Sequence, residues 1–415
     1  MRRLAILSCA LALAVAGCGG GGSSGAGGGV SDASTSAHSA PAASNVVPLT
    51  VDAGPGGHSV DIPYVSVTVC VPGSAAQCQT FNDVEVDTGS YGLRILANAR
   101  DTSGNTLALA LPQESENGAP LLECTQFTDG YSWGPVETAD VHIGGESASA
   151  IPVQVIGDPA YGAVPGGCAS TGAQEDTVAA FGANGLLGIG PFAQDCGARC
   201  LANADNGIYY VCPASGCTQS AVAENEQVRN PVVDFQTDDN GVIVELPSVS
   251  AAGASSLSGA LIFGIGTEGN NTMSAATVLA ADPSTGDITT TFNGTPLPDS
   301  YFDTGSNAYF FYDGAIPACP AGSAAPGFYC PTSPLTFTLT NSDQNGTVSR
   351  VAIAIDNAVT LLTANPGFTA FNDVGVSGSN QSSFDFGLPF FFGRDVYVAI
   401  AGQNTSAGMG PYFAY

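Results

Sequence analysis

No lysine occurs anywhere in the 415 residues: all eight basic side chains are arginine, set against 36 Asp and Glu, for a formal net charge of −28. A surface this negative repels phosphate backbones, which excludes nucleic acid as a natural partner. A carboxylate-rich, lysine-free surface suits a protein outside the cytoplasm that meets low pH. Histidine is nearly absent too, with only His38, His58 and His142. Without a histidine cluster, neither a serine triad nor a zinc hydrolase has support. No phosphate loop or dinucleotide fingerprint is present, so no cofactor and no metal is expected. Heptads, long helical periodicity and short internal repeats are also missing.

What is present points to strands. Hydrophobic residues make up 44% of the chain, enough for a sizeable core, and 54 Gly with 26 Pro punctuate it throughout. That mixture predicts an all-β fold of short strands joined by turns. Residues 63–70 are apolar at every second position, the period of a half-buried strand, and residues 81–86 return from a Val71-Pro72-Gly73 turn. Further strands are expected at 136–143, 151–156, 185–190, 261–266, 289–292, 335–339, 351–355 and 396–401. Residues 191–219 are Cys-rich and read as a surface excursion, and residues 225–235 as a short helix.

The N-terminus reads as an export signal over residues 1–17. Arg2 and Arg3 precede an apolar run, residues 4–16, too short for a transmembrane helix. The run ends Val15-Ala16-Gly17-Cys18, which resembles the bacterial lipobox, where lipid is attached to the cysteine. The alternative is an ordinary signal peptide that contains Cys18. Gly19 in place of Asp leans the lipoprotein reading toward the outer membrane, on its periplasmic or surface face. Residues 18–44, rich in Gly, Ser and Ala, cannot bury a core and read as a flexible tether. Ten further cysteines remain: Cys70, Cys78, Cys124, Cys168, Cys196, Cys200, Cys212, Cys217, Cys319 and Cys330. An even number in an exported chain implies disulfides. Cys70 with Cys78 would close a hairpin and Cys319 with Cys330 a late loop, but the pairing as a whole stays open. The spacing of Cys196, Cys200, Cys212 and Cys217 also leaves a zinc-like reading.

One tetrapeptide occurs twice. Residues 84–86 lead into Asp87-Thr88-Gly89-Ser90, and residues 301–302 lead into Asp303-Thr304-Gly305-Ser306. A single Asp-Thr-Gly carries little; two copies, one in each half and each after a β-branched or aromatic strand, carry far more. If the halves face each other, two carboxylates share one site. Like charges a few ångströms apart cannot both ionise cheaply, so the pair holds one proton. Its ionised member can activate a water while its protonated member polarises a peptide carbonyl, which is general acid–base hydrolysis. The titration belongs to the pair. Thr88 and Thr304 can brace the loops, Gly89 and Gly305 allow close approach, and Ser90 and Ser306 can orient the carboxylates.

On these motifs the chain resembles the pepsin-like aspartic proteases over most of residues 45–415. The segments Gly185-Leu186-Leu187-Gly188-Ile189-Gly190 and Phe384-Asp385-Phe386-Gly387-Leu388-Pro389-Phe390-Phe391 match the apolar-Gly stretches behind the two active-site loops. Residues 258–264 look like the strand that closes the first lobe. The resemblance implies a bilobal fold of two pseudo-twofold-related β lobes, residues 45–266 and 267–415, with an extended peptide or protein substrate in the cleft between them. It implies a monomer, Asp87 and Asp303 as the catalytic pair, and an aromatic residue on a flap hairpin. Counting back from Gly144-Gly145 puts Phe127 at the flap position; Tyr131 or Trp133 fits after a small shift, or both are loop aromatics. The first loop departs from the family's pattern, continuing Tyr91-Gly92-Leu93-Arg94-Ile95. Turned outward, Arg94 serves structure; turned inward, it favours a doubly ionised pair and harms catalysis. The rival reading is a catalytically inactive, protease-like envelope lipoprotein that binds peptides or proteins. The whole chain also looks like a group of bacterial lipoproteins of unknown function.

Overall fold

A computed structural model describes residues 43–127, 130–274 and 276–415. The expected signal, the lipid-bearing Cys18 and the tether up to residue 42 lie outside the described residues. Strands dominate, as composition led us to expect. The α-helices among the described residues, Val178–Phe181, Ala198–Ala202 and Ala358–Ala364, are all short. The Pro63–Cys70 strand shows why. Val65, Val67 and Val69 point into the core while Ser66 faces solvent, so period-two patterning is satisfied only by a strand. It pairs antiparallel with Cys78–Asp87, and Cys70 lies opposite Cys78, bridged by a disulfide.

Among the described residues two sheets hold most of the strands, one of 17 strands and one of seven. Three strands from late in the sequence, Val278–Ala280, Arg394–Ala399 and Tyr412–Ala414, belong to the larger sheet. Arg394–Ala399 pairs with Gly241–Leu246, whose other edge pairs with Leu257–Phe263. A continuous ladder therefore crosses the expected boundary at residue 266. One apolar cluster also spans both halves, from Val47 to Phe413. Its late portion is packed with phenylalanine, including the stacked pairs Phe302–Phe386 and Phe311–Phe384, each 4.8 Å between ring centroids.

The Cys-rich segment lies mostly at the surface, as expected, but it is tied into the fold. Its Tyr209–Val211 strand pairs with Ala119–Gln126, and Tyr209 is fully buried. Buried Asn206 organises the segment: its Oδ1 accepts from the backbone of Ile208 and Tyr209, and its Nδ2 donates to the carbonyls of Asn203 and Ser220. Its thiols are consumed in Cys196–Cys200 and Cys212–Cys217, which corrects the zinc-like reading. Cys124–Cys168 and Cys319–Cys330 complete the disulfides among the described residues. Residues 225–235 form no helix beyond 3-10 turns at Glu224–Glu226 and Pro231–Asp234. Pro231 lacks an N–H and holds Asn230 in an extended conformation, so no α-helix can run through this point.

Candidate active site

Each Asp-Thr-Gly-Ser loop is pinned in the same way. Cys78–Asp87 ends on Asp87, and Gly185–Ile189 lies parallel to it and antiparallel to Tyr91–Leu96 on the far side of the loop. Thr295–Phe302 leads into Asp303, and Asp385–Phe386 lies parallel to it and antiparallel to Tyr309–Phe311. The apolar-Gly segments thus run between the two arms of each loop. Glycine is required there. A Cβ on Gly188 would sit 2.6 Å from the backbone N of Tyr91, and one on Gly387 would sit 2.0 Å from the carbonyl of Ala308.

The two loops meet head-on, although they are separated by more than 200 residues. Thr88 N donates to Thr304 Oγ1 at 3.1 Å, and Thr304 N donates to Thr88 Oγ1 at 3.0 Å. Each hydroxyl then donates across the junction, Thr88 to the carbonyl of Phe302 and Thr304 to that of Val86. All four bonds are buried, so each satisfies a group that would otherwise be stranded away from water. The grip brings the Asp87 and Asp303 carboxyls together, both within 3.1 Å of the Cβ position on Gly305. Gly89 N donates to Asp87 Oδ1 and Gly305 N to Asp303 Oδ1, both at 2.8 Å. The glycines explain the tight approach. A Cβ on Gly89 would lie 2.5 Å from Asp303 Cγ, and one on Gly305 2.7 Å from Asp87 Cγ.

Both carboxyls are buried, Asp87 at 4% exposure and Asp303 at 2%. Burial first, then the neighbouring carboxyls of Asp87 and Asp385 and the hydrogen bond with Asp87, push Asp303 well above the usual carboxylate range; Ser306 partly offsets this. The serines are not equivalent. Ser306 Oγ lies 2.9 Å from Asp303 Oδ2 and 2.8 Å from Asp385 Oδ2. Ser90 Oγ has no hydrogen-bond partner among the described residues. It therefore does not orient Asp87, and Ser90 contributes through its carbonyl, which accepts from Gly190 N. Asp385 is the residue sequence reasoning missed. It was read as part of an apolar run, and the one available signal was an acid flanked by phenylalanines. Tyr91 is also held above its usual range, by burial and then by the charges of Asp87, Asp287 and Asp303.

Arg94 turns away from the pair. Its guanidinium is fully buried against Glu123 and Asp195, with Nε donating to Thr125 Oγ1 at 3.0 Å and Nη1 to the Tyr91 carbonyl at 2.7 Å. It ties the first loop to the Cys-rich segment, where Tyr209 donates to Asp195 at 2.6 Å. The aromatic candidates separate. Tyr131 and Trp133 sit in the Gly130–Ile143 strand and pack with Cys124, Cys168 and Tyr210; Trp133 Nε1 donates to the Tyr161 carbonyl. Neither is at the hairpin tip. Phe127 follows the Ala119–Gln126 strand at the turn, buried, with its ring 5.9 Å from that of Phe181.

A family model described as "Protein of unknown function (DUF3443)" matches residues 41–415, and the chain belongs to that family. No curated protein matches this chain.

Proposed function

We propose that this member of the DUF3443 family is an aspartic-type endopeptidase with a pepsin-like arrangement of Asp87 and Asp303. The observation that carries the reading is the reciprocal threonine grip, which brings two buried carboxyls into hydrogen-bonding contact at the ends of two equivalent strand–loop units. At acidic pH the pair holds one proton. The ionised member takes a proton from a water whose oxygen attacks the peptide carbonyl carbon, and the protonated member donates to the carbonyl oxygen. Collapse of the resulting gem-diol breaks the C–N bond, with a proton delivered to the departing amine. The outward turn of Arg94 supports this reading, because no guanidinium then forces both carboxyls to ionise. An extended peptide is the substrate class. The lipobox-like run at residues 15–18 supports an exported chain held at the outer membrane through Cys18.

The test is to incubate the purified chain with denatured protein between about pH 3 and about pH 7 and identify new termini by mass spectrometry. Cleavage that a statine-containing peptide inhibits supports the reading. Statine-peptide binding without cleavage favours the inactive, peptide-binding alternative. Neither binding nor cleavage ends both.

A further inference from the structure

Ser306 has one hydroxyl proton but stands within hydrogen-bond distance of two carboxyl oxygens, Asp303 Oδ2 at 2.9 Å and Asp385 Oδ2 at 2.8 Å. One hydrogen cannot point in line at both, so two full-strength bonds at these distances need two protons. Serine supplies one, so a carboxyl must supply the other. Asp303 is also in hydrogen-bonding contact with Asp87, and that contact needs a proton of its own. A neutral carboxyl carries only one proton. Three carboxyls and one hydroxyl linked in this way therefore close their hydrogen bonds only with two carboxyl protons in place.

We propose that Asp385 is a positioning residue for the reaction, a third carboxyl that holds a proton behind Ser306 and so commits the serine hydroxyl to Asp303 Oδ2. The inference rests on the peptidase reading for its role in catalysis, but not for its hydrogen-bond chain. With Asp385 neutral and donating to Ser306 Oγ, Ser306 donates to the outer oxygen of Asp303. The remaining carboxyl proton is then left for the contact between Asp303 and Asp87, where hydrolysis uses it. Tyr301 Oη, 3.3 Å from Asp385 Oδ2, can donate to that oxygen as well. Asp303 with Asp87 beyond it, Ser306 and Tyr301 are thus groups that this chain joins.

The first half lacks this device. In the parallel pairing of the first loop, Leu186 stands opposite Glu85 and Leu187 opposite Val86. In the second, Asp385 stands opposite Tyr301 and Phe386 opposite Phe302. Asp385 thus occupies the place that Leu186 holds in the first half. Ser90, the counterpart of Ser306, accordingly has no carboxyl behind its hydroxyl. The pair is built asymmetrically, with Asp303 braced from outside and Asp87 not.

The experiment compares the full chain with Asp385→Asn, Asp385→Leu, Ser306→Ala and the Ser306→Ala/Asp385→Leu double variant. In spectra of chain labelled with 13C at the Asp Cγ, the resonance lost in Asp385→Asn should sit at the protonated position at about pH 6, roughly two units above an ordinary Asp. An ionised Asp385 at that pH overturns the inference, even in a chain that cleaves peptides. In kinetics, Asp385→Leu should lower kcat by about tenfold or more with KM little changed, and narrow the pH profile. Asp385→Asn, whose amide can still donate, should recover most of that loss. In the Ser306→Ala background Asp385→Leu should cost nothing further; a full additional loss means that Asp385 does not act through Ser306. A chain without peptidase activity but with a protonated Asp385 sinks the peptidase reading and leaves the hydrogen-bond chain standing.

Discussion

Thr88 and Thr304 exchange hydrogen bonds: the backbone N of each donates to the side-chain oxygen of the other, at 3.1 and 3.0 Å. The exchange fixes the two loops to each other, independently of the sheets that support them. Thr88→Val should cost about 1–3 kcal/mol, because it strands the buried N–H of Thr304 and the carbonyl of Phe302. Thr304→Val should cost a similar amount, and the double variant should depart from additivity by about 0.5 kcal/mol or more. Thr→Ser at either position keeps the oxygen and should restore most of the stability. Urea unfolding midpoints check all of these variants.

Gly89 and Gly305 set the distance between the carboxyls. Alanine at either position brings a Cβ within 2.5–2.7 Å of the opposing carboxyl carbon. The strands behind the loops are untouched, so far-UV circular dichroism should be preserved. The opposing Asp must move by roughly an ångström, and misplacement of that size costs about a hundredfold in rate. Peptide cleavage that survives Gly89→Ala and Gly305→Ala at full rate would contradict the close pairing.

Arg94 compensates two buried carboxyls. Arg94→Met leaves Glu123 and Asp195 uncompensated in a fully buried site and should destabilise the chain by about 3–5 kcal/mol. Replacing Glu123 by Leu in the same chain should recover part of that loss. Because the guanidinium does not contact Asp87 or Asp303, surviving folded protein should keep the wild-type pH optimum. A shifted optimum would show that Arg94 acts on the pair.

Several buried carboxyls favour an acidic medium. Burial, then the charge of Asp356, lifts Asp373 to about 7, and burial, then the charge of Asp158, lifts Glu137 to about 7. Asp61, Asp195 and Asp303 are pushed up by burial first and by neighbouring carboxyls. Between the ordinary carboxylate value and these raised values, the folded chain binds more protons than the unfolded chain, so stability falls as pH rises. For Asp373 and Glu137 that window runs from about 4 to about 7. Self-repulsion at a net charge of −28 acts in the same direction. The melting temperature should therefore be higher at about pH 4.5 than at about pH 8. Below the window the sense reverses, because Asp101 and Asp282 are held low by hydrogen bonds from Gln79 and Ser284. A melting temperature that rises steadily from acid to alkaline pH would contradict this balance.

Local patterns were legible in the sequence; long-range partners were not. The Pro63–Cys70 strand could be read because its burial follows its own alternation. The two loops stood out because the tetrapeptide repeats. Nothing local marks Asp385, whose partner Ser306 is 79 residues away. Nor does anything local say that Arg94 turns toward Asp195, 101 residues on. The Cys-rich segment reads as a surface excursion, and only the pairing of Tyr209–Val211 with Ala119–Gln126 shows that Tyr209 is buried within it. The same dependence separates Phe127 from Tyr131 and Trp133, since the pairing of Gln126 with Tyr131 puts Phe127 at the turn while Tyr210 and its neighbours pack against the other two.

The most direct measurement is the initial rate of peptide cleavage at acidic pH by the wild-type chain, Asp87→Asn and Asp303→Asn, each confirmed as folded. A shared-proton pair predicts that either substitution alone abolishes turnover, with losses of about a thousandfold or more, because neither carboxyl can serve as both acid and base. Wild-type cleavage that persists in either variant would contradict the account.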